Sequence, residues 1–263
     1  SKHLFLKRFF FFFFKMVGYV PSILKHKNYI LPIVAKTKVL IPQLHPEQYA
    51  FPNPRKAGKE GLLAWGGDLS EMRLLEAYQQ GIFPWFNEKD PILWWSPDPR
   101  AVLYPHEMKL SKSLRQSIKH FTIRYDREFE RVMRLCQETR LSQGKPSWIS
   151  EVLIQAFCAL HDKGFAHSVE CYDGDALVGG LYGLYIGKVF CGESMFSTQR
   201  DASKVALFGL CQKVLALGGT LIDCQLPTEH LKSLGAIEMC REDFLEVLAQ
   251  GLENGGLNAS LWS

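Results

Sequence analysis

The chain has 263 residues, of which 47% are hydrophobic and 22% are charged, and its mean hydropathy is −0.07. This composition predicts a packed globular protein of one large or two modest domains, and it excludes wholesale disorder, fibrous repeats and low-complexity chains. The sequence holds no uncharged apolar run of about 18 residues, so we expect no membrane-spanning segment. Its seven cysteines form no CxxC pair and no His/Cys cluster, which argues against disulfides and a metal site and favours a cytoplasmic location.

The positive charge is concentrated at the amino end. The formal net charge is +4, but residues 1–37 hold seven Lys or Arg and no acid, which leaves 24 basic and 27 acidic residues in 38–263. Six consecutive phenylalanines, residues 9–14, lie in this basic segment and are too few to span a bilayer. Three interpretations stay open: a membrane-touching arm, a disordered leader, or an extension upstream of a native start at Met16. In each case we expect residues 1–37 to lie outside the fold.

The remaining chain divides into two regions in sequence order. Residues 38–100 are rich in Pro, Gly and Trp, which predicts a small domain of loops and short strands with one helix between Ser70 and Gly81. Residues 101–263 show regular apolar periodicity. There the patterns predict helices over 111–120, 126–139, 150–163 and 201–217, strands over 167–172, 176–186, 188–195 and 220–224, and two helices after Thr228. Helices, a meander and then α-β-α predict a layered α/β (α+β) fold.

Two polar segments end predicted strands. Asp223 and Gln225 close the strand 220–224, and open α/β sheets place their sites at such carboxyl ends. A carboxylate beside a carboxamide can orient a substrate or take a proton; a turn cap and a solvated strand end are the alternative. Glu193 interrupts an apolar run, which is costly unless the carboxyl is paired or functional. The sequence leaves both interpretations open for each segment.

A basic stretch lies between Arg100 and Arg134, with nine Lys or Arg against four acids. Lys112, Arg115 and Lys119 recur at spacings that share one helix face. Such a face is either a solvated surface or a patch that binds phosphates.

Six motifs then occur in a fixed order. They are GGDLS at 66–70, YQQGIFPWF at 78–86, DPILWWSPDPRAVL at 90–103, VGGLYG at 178–183, FCGESMFS at 190–197 and LIDCQ at 221–225. Together they closely resemble the leucyl/phenylalanyl-tRNA–protein transferase family over about residues 39–250. The resemblance implies transfer of leucine or phenylalanine, with methionine as a third candidate, from aminoacyl-tRNA to an N-terminal Arg or Lys of acceptor proteins. The new peptide bond creates an N-degron for proteolysis.

The resemblance also implies a fold and a donor. The catalytic domain, 101–263, is expected to have the N-acetyltransferase fold, and no cofactor or metal is expected. Residues 197–204 lack the glycines with which a backbone loop would cradle the pyrophosphate of coenzyme A. This departure disfavours a coenzyme A-dependent N-acyltransferase, and the motif set disfavours a related transferase that leucylates acidic N-termini. The Asp223/Gln225 pair disfavours a non-catalytic tRNA- or degron-binding adaptor.

Roles for individual residues follow from the same resemblance. Gln225 would hold the attacking amine, Asp223 would orient Gln225 or relay a proton, and Glu193 would hold the acceptor's N-terminus or basic side chain. Trp148 would stack on the 3′-terminal adenine. The apolar wall for the donor amino acid falls on Leu181, Phe190, Met195, Leu210, Val214 and Ile222, and tRNA contacts fall on Arg100, Lys112, Arg115 and Lys119.

Overall fold

The computed structural model describes residues 41–87, 90–144, 146–256 and 262. The expectation about residues 1–37 therefore lies outside the described residues. Within the described ranges, no helix has the length and apolar character needed to cross a membrane.

A small four-stranded sheet occupies the first part of the described chain. Its strands are β1 (Gln43–Leu44), β2 (Leu62–Gly66), β3 (Phe83–Pro84) and β4 (Leu93–Trp95), in the spatial order β1-β2-β4-β3, and helix α1 (Glu71–Gln79) lies between β2 and β3. The indole N–H groups of Trp94 and Trp95 donate to the carbonyls of Gly66 and Trp85 at 2.9 and 2.7 Å. These buried indoles pin loops that the dense Pro and Gly content would otherwise leave irregular.

A seven-stranded sheet forms the larger part. Its strands are β5 (Arg100–Leu103), β6 (Thr122–Tyr125), β7 (Ala166–Asp173), β8 (Ala176–Ile186), β9 (Val189–Ser197), β10 (Leu221–Gln225) and β11 (Ile237–Met239), in the order β11-β5-β10-β9-β8-β7-β6. The helices are α2 (Lys112–His120), α3 (Phe129–Ser142), α4 (Glu151–Asp162), α5 (Ala202–Ala216), α6 (Glu229–Ser233) and α7 (Arg241–Gly255). Two 3-10 turns, Pro54–Lys56 and Pro105–Glu107, complete the elements.

Helices cover both faces of this sheet. Successive strand residues point to opposite faces, so Tyr182 packs with Val132 of α3 and Phe157 of α4, whereas Leu181 packs with Leu210 of α5. The predicted layered α/β fold is confirmed.

The predicted elements differ from the structure in identifiable ways. The short strands β5, β6 and β11 were not predicted, since three or four residues carry little periodicity. The helix expected from residue 126 begins at Phe129. The sequence favours Asp126 as the residue that caps this helix, but it has a φ of 54° and its carboxylate accepts from the Ser168 backbone N–H at 2.7 Å. It therefore closes a turn before the helix begins. Ser70 does precede α1, but its hydroxyl makes no capping bond.

The pairing of β9 and β10 positions the site. These neighbours are parallel, and their register runs from Leu221 opposite Val189 to Asp223 opposite Cys191. Beyond that point the strands no longer pair, so the end of β10 and the second half of β9 diverge. The gap receives polar side chains from both strands.

Candidate active site

Gln225 ends β10 in an unusual backbone conformation. Its φ is 61°, in the left-handed region that non-glycine residues rarely adopt, and the strand bulges between Asp223 and Gln225 against β5. The backbone N–H of Gln225 donates to Oδ1 of Asp223 at 2.8 Å. This local bond holds the conformation that turns the Gln225 side chain toward β9, where its Nε2 donates to Oε1 of Glu193 at 2.7 Å.

Asp223 is held by a buried arginine. Nε and Nη2 of Arg100 donate to the two carboxylate oxygens at 2.8 and 2.6 Å, and the residues are 1% and 0% exposed. Nη1 of Arg100 donates to the Gly81 carbonyl at 3.1 Å. Burial acts to lower the pKa of Arg100, but the Asp223 carboxylate outweighs it and raises that pKa. Both oxygens of Asp223 are therefore occupied by protein donors.

The prediction that Arg100 contacts tRNA is wrong. A side chain that is 1% exposed and paired to Asp223 in the interior cannot reach a phosphate on the surface. Its guanidinium lies between the rings of Phe83 and Phe244, at 4.8 and 4.5 Å from their centroids. Arg100 instead holds the Asp223 carboxylate and so supports the turn from Asp223 to Gln225.

Glu193 forms the centre of the polar group. Its Oε1 accepts from Gln225 and also from the hydroxyl of Tyr78 at 2.6 Å. Enclosure of the carboxyl by protein raises its pKa to about 8; the bonds from Tyr78 and Gln225 oppose this shift, and the nearby Asp223 charge adds to it. Burial and the adjacent Glu193 raise the pKa of Tyr78 well above its usual value. Glu193 is thus poised to change charge near physiological pH.

The structure brings together the residues expected to hold the donor amino acid. Five of them are buried in one apolar cluster beneath α5, namely Leu181, Phe190, Leu210, Val214 and Ile222, and Met195 packs against it partly buried. Leu210 and Val214 lie one turn apart on α5 and can therefore line the same side of the cluster. The cluster adjoins the Asp223–Gln225 turn along the chain, because Ile222 and Asp223 are successive residues of β10.

Trp148 lies between helices α3 and α4 with part of its surface exposed. Its ring meets Trp85 edge to face at a centroid distance of 6.0 Å, and the guanidinium of Arg140 lies 4.0 Å from its centroid. The sequence interpretation singled out Trp148 but gave no role to Trp85, Tyr78 or Arg140. Trp85 and Tyr78 both fall in the motif at 78–86, so that motif was the available signal.

The three remaining basic residues lie together on α2. Lys112, Arg115 and Lys119 are exposed, and within the described part of the chain none of them forms an ion pair. The Ser111 hydroxyl caps the helix by accepting from Leu114 N–H at 3.1 Å. The predicted positive face therefore exists and is open to a partner.

The amino end of α5 bears on the identity of the donor. Asp201 sits there with a φ of 66° and binds Lys204 at 2.8 Å. Arg200 also pairs with this carboxylate, at 3.7 Å, so the start of α5 carries no net negative charge. The reason against coenzyme A therefore stays with the glycines that residues 197–204 lack.

A separate polar group lies at the start of β7, three strands from β10. Asp126, His161 and His167 place possible metal-ligating atoms within 4.8 Å of one another, a grouping that the sequence interpretation did not foresee. His167 already contacts Asp126 Oδ2 at 2.7 Å and the Gly164 carbonyl at 2.9 Å, and His161 contacts the Ala166 carbonyl at 2.8 Å. These hydrogen bonds give the cluster a structural role, which is to support the chain where β7 begins.

An amide and a carboxyl that face one gap beside an apolar cluster can position an amine against an activated carbonyl group. The sequence profile for "Leucyl/phenylalanyl-tRNA protein transferase" matches residues 102–249, and the profile for its N-terminal domain matches residues 67–98. The chain belongs to the leucyl/phenylalanyl-tRNA–protein transferase family, and the resemblance found in the motifs is confirmed.

Individual relatives carry the same family name. The transferase of Sulfurimonas denitrificans is 49% identical over 209 residues, which cover 80% of this chain and 92% of the relative. The transferase of Nitrosospira multiformis is 54% identical over 200 residues, covering 74% and 86% of the two chains. Among solved structures, a GCN5-related N-acetyltransferase from Kribbella flavida is similar with a TM-score of 0.34 at 10% identity, over 63% of this chain and 59% of that one.

Proposed function

We propose that this enzyme transfers an aminoacyl group from aminoacyl-tRNA to the N-terminal amine of an acceptor protein. The amine nitrogen attacks the ester carbonyl carbon, a C–N bond forms, and the C–O bond to the terminal ribose breaks. The amine loses one proton and the ribose oxygen gains one. The ester is already activated, so the enzyme has to position two substrates and guide a proton. The observation that carries the proposal is the hydrogen-bonded group of Gln225, Glu193 and Tyr78 in the gap between β9 and β10.

Gln225 is the residue that we place at the attacking amine. Its Nε2 end is bound to Glu193, so its amide oxygen is the end left to accept an N–H from the substrate. The Arg100–Asp223 pair supports this orientation through the Gln225 backbone. Since both Asp223 oxygens are occupied, the geometry favours an orienting role for Asp223 over a proton relay.

Glu193 is the residue that we assign to the acceptor. A carboxyl with a pKa of about 8 gains a full negative charge when a cationic group approaches and stabilises the ionised form. We therefore propose acceptors with N-terminal Arg or Lys, which supply a cation beside the amine. The product would carry a leucine or phenylalanine at its N-terminus, as an N-degron does, and the reaction would take place in the cytoplasm.

The donor side uses three further features. The apolar cluster beneath α5 would receive a leucine, phenylalanine or methionine side chain, and Trp148 would stack on the 3′-terminal adenine. Lys112, Arg115 and Lys119 on α2 would bind backbone phosphates of the tRNA.

One assay tests the proposal directly. Labelled leucine on tRNA is offered with a peptide that begins with Arg, beside a matched peptide that begins with Asp. We expect label only on the Arg peptide. Transfer to the Asp peptide alone would contradict the acceptor assignment. Binding of charged tRNA without transfer to either peptide would indicate an adaptor, and acylation from acetyl coenzyme A would indicate an N-acyltransferase.

A further inference from the structure

Arg140 differs from the other arginines of its helix. Helix α3 carries Arg131, which pairs with Glu128, and Arg134, which pairs with Glu130 and Glu151 at 2.7 and 3.0 Å. Arg140 has no carboxylate partner among the described residues. Its Nη2 lies 3.5 Å from the Pro146 carbonyl, and its Nε is buried without an acceptor. A guanidinium whose Nε–H is buried without an acceptor is costly, because that donor gives up water without replacement.

The position of Arg140 connects it to the site. The flat face of its guanidinium lies over the Trp148 ring at 4.0 Å, an arrangement that stabilises a cation and fixes the orientation of its plane. Trp148 in turn meets Trp85. The charges of Arg140 and of Glu193 both act on the pKa of the buried Tyr182 hydroxyl. The guanidinium therefore lies beside the proposed adenine-binding tryptophan and within electrostatic reach of the residue that adjoins Glu193.

This environment is suited to an anion of a particular kind. Burial lowers the pKa of Arg140, so an anionic ligand that returns acceptors to the guanidinium would relieve the cost. Planar N–H donors in a fixed fork match the oxygens of a phosphate. The anion that accompanies an adenine at the 3′ end of an RNA is the phosphodiester on the 5′ side of that nucleotide.

We propose that Arg140 binds the phosphate that precedes the 3′-terminal adenosine of the aminoacyl-tRNA, beside Trp148. The inference rests on the proposed function, since it assumes the adenosine to lie at Trp148. By this proposal, Arg140 distinguishes a nucleotide from a nucleoside at the 3′ end of the donor.

The test uses two minimal donors that differ by one group, leucyl-adenosine and leucyl-adenosine 5′-phosphate, with the same Arg peptide as acceptor. For the parent we expect a KM about tenfold lower for the phosphorylated donor. Arg140→Gln should remove this advantage and leave the KM for leucyl-adenosine within about twofold. Arg131→Gln, on an exposed part of the same helix, serves as the matched control and should keep the advantage.

Direct binding supplies a readout that does not need a variant. Quenching of tryptophan fluorescence in the parent should show tighter binding of adenosine 5′-monophosphate than of adenosine. Equal binding of these two ligands would overturn the inference, as would an Arg140→Gln variant that weakens both donors to the same extent. A parent that transfers leucine from neither minimal donor nor charged tRNA would overturn the proposed function, which is a separate result.

Discussion

The Tyr78 hydroxyl donates a 2.6 Å hydrogen bond to Oε1 of Glu193, so helix α1 of the small-sheet region reaches into the gap between β9 and β10. The same carboxyl oxygen accepts from Gln225 at 2.7 Å. One oxygen is thus held by donors from the two sheet regions. The packing of α1 against the larger part therefore contributes to the geometry of the site as well as to the core.

Replacing Tyr78 by Phe removes one of these two donors and keeps the buried ring. A hydrogen bond of this kind is worth about 0.5–1.5 kcal/mol, so we expect kcat/KM for the Arg peptide to fall about two- to tenfold and the melting temperature to fall by about 2–6 °C. The control is Tyr104→Phe, because Tyr104 lies outside the site. An unchanged kcat/KM for Tyr78→Phe would show that Gln225 alone holds Glu193.

The charge of Glu193 predicts a pH dependence of stability. The folded protein keeps this proton up to a pH of about 8, whereas an ordinary glutamate with the reference pKa of 4.5 releases it earlier. The folded state thus binds more protons than the unfolded state in this window, and the contribution of Glu193 to stability is lost as the pH rises from about 5 to about 8. Glu193→Gln removes the titration.

The measurement compares melting temperatures of the parent and of Glu193→Gln at pH 5 and pH 8. We expect the melting temperature of the variant, relative to that of the parent, to rise from pH 5 to pH 8. The other ionisable groups that face Glu193, which are Tyr78, Tyr182, Cys191, Arg100 and Asp223, are the same in both proteins. A difference in melting temperature that does not change with pH would mean that Glu193 titrates in its ordinary range.

Breaking the buried pair of Arg100 and Asp223 is expected to destabilise the folded protein. Asp223→Asn leaves the guanidinium of Arg100 in the interior without a counter-charge, and breaking a buried pair in this way costs about 3–5 kcal/mol. The free energy of unfolding from a denaturant titration should fall by that amount. The double variant Arg100→Met with Asp223→Asn should recover part of the loss. No recovery would indicate that the hydrogen bond that the Gln225 backbone N–H donates to Asp223 Oδ1 dominates.

The exposed face of α2 should act on tRNA and not on minimal donors. Combined replacement of Lys112, Arg115 and Lys119 by Ala should raise the KM for charged tRNA and reduce the slope of log KM against log salt by about 2–3, since three phosphate contacts are lost. Leucyl-adenosine should be transferred at the parental rate. The control replaces the exposed Lys56 and Lys59 by Ala. An unchanged slope would make α2 an ordinary solvated helix.

The fold was largely accessible from the sequence, because β8 is a continuous apolar run, β9 is interrupted only near Glu193, and Gly218 follows the apolar periodicity of α5. The short strands β5, β6 and β11 were not, since their pairing depends on neighbours far along the chain. The site was accessible in part. Asp223 and Gln225 lie at the end of β10, and Glu193 interrupts the apolar run of β9. The partners Tyr78 and Arg100, however, lie 115 and 123 residues away in sequence from the groups that they hold. No local pattern encodes such contacts.

Arg100 illustrates the limit most clearly. Its place in a basic stretch favoured a phosphate contact, yet the side chain is buried against Asp223. Charge density along a sequence does not distinguish an arginine that faces solvent from one that crosses the interior. The prediction for Lys112, Arg115 and Lys119 rested on helical spacing as well as on charge, and these three side chains are exposed.

The central claim is that Gln225 positions the attacking amine, and the most direct measurement is the kcat of Gln225→Ala with labelled leucyl-tRNA and Arg peptide both saturating. Loss of one well-placed group at the reacting centre typically costs a factor of about 10² to 10³. We expect a decrease of that size with tRNA binding and melting temperature retained. A variant with parental kcat and a lowered melting temperature would contradict the account and make the Asp223–Gln225 turn purely structural.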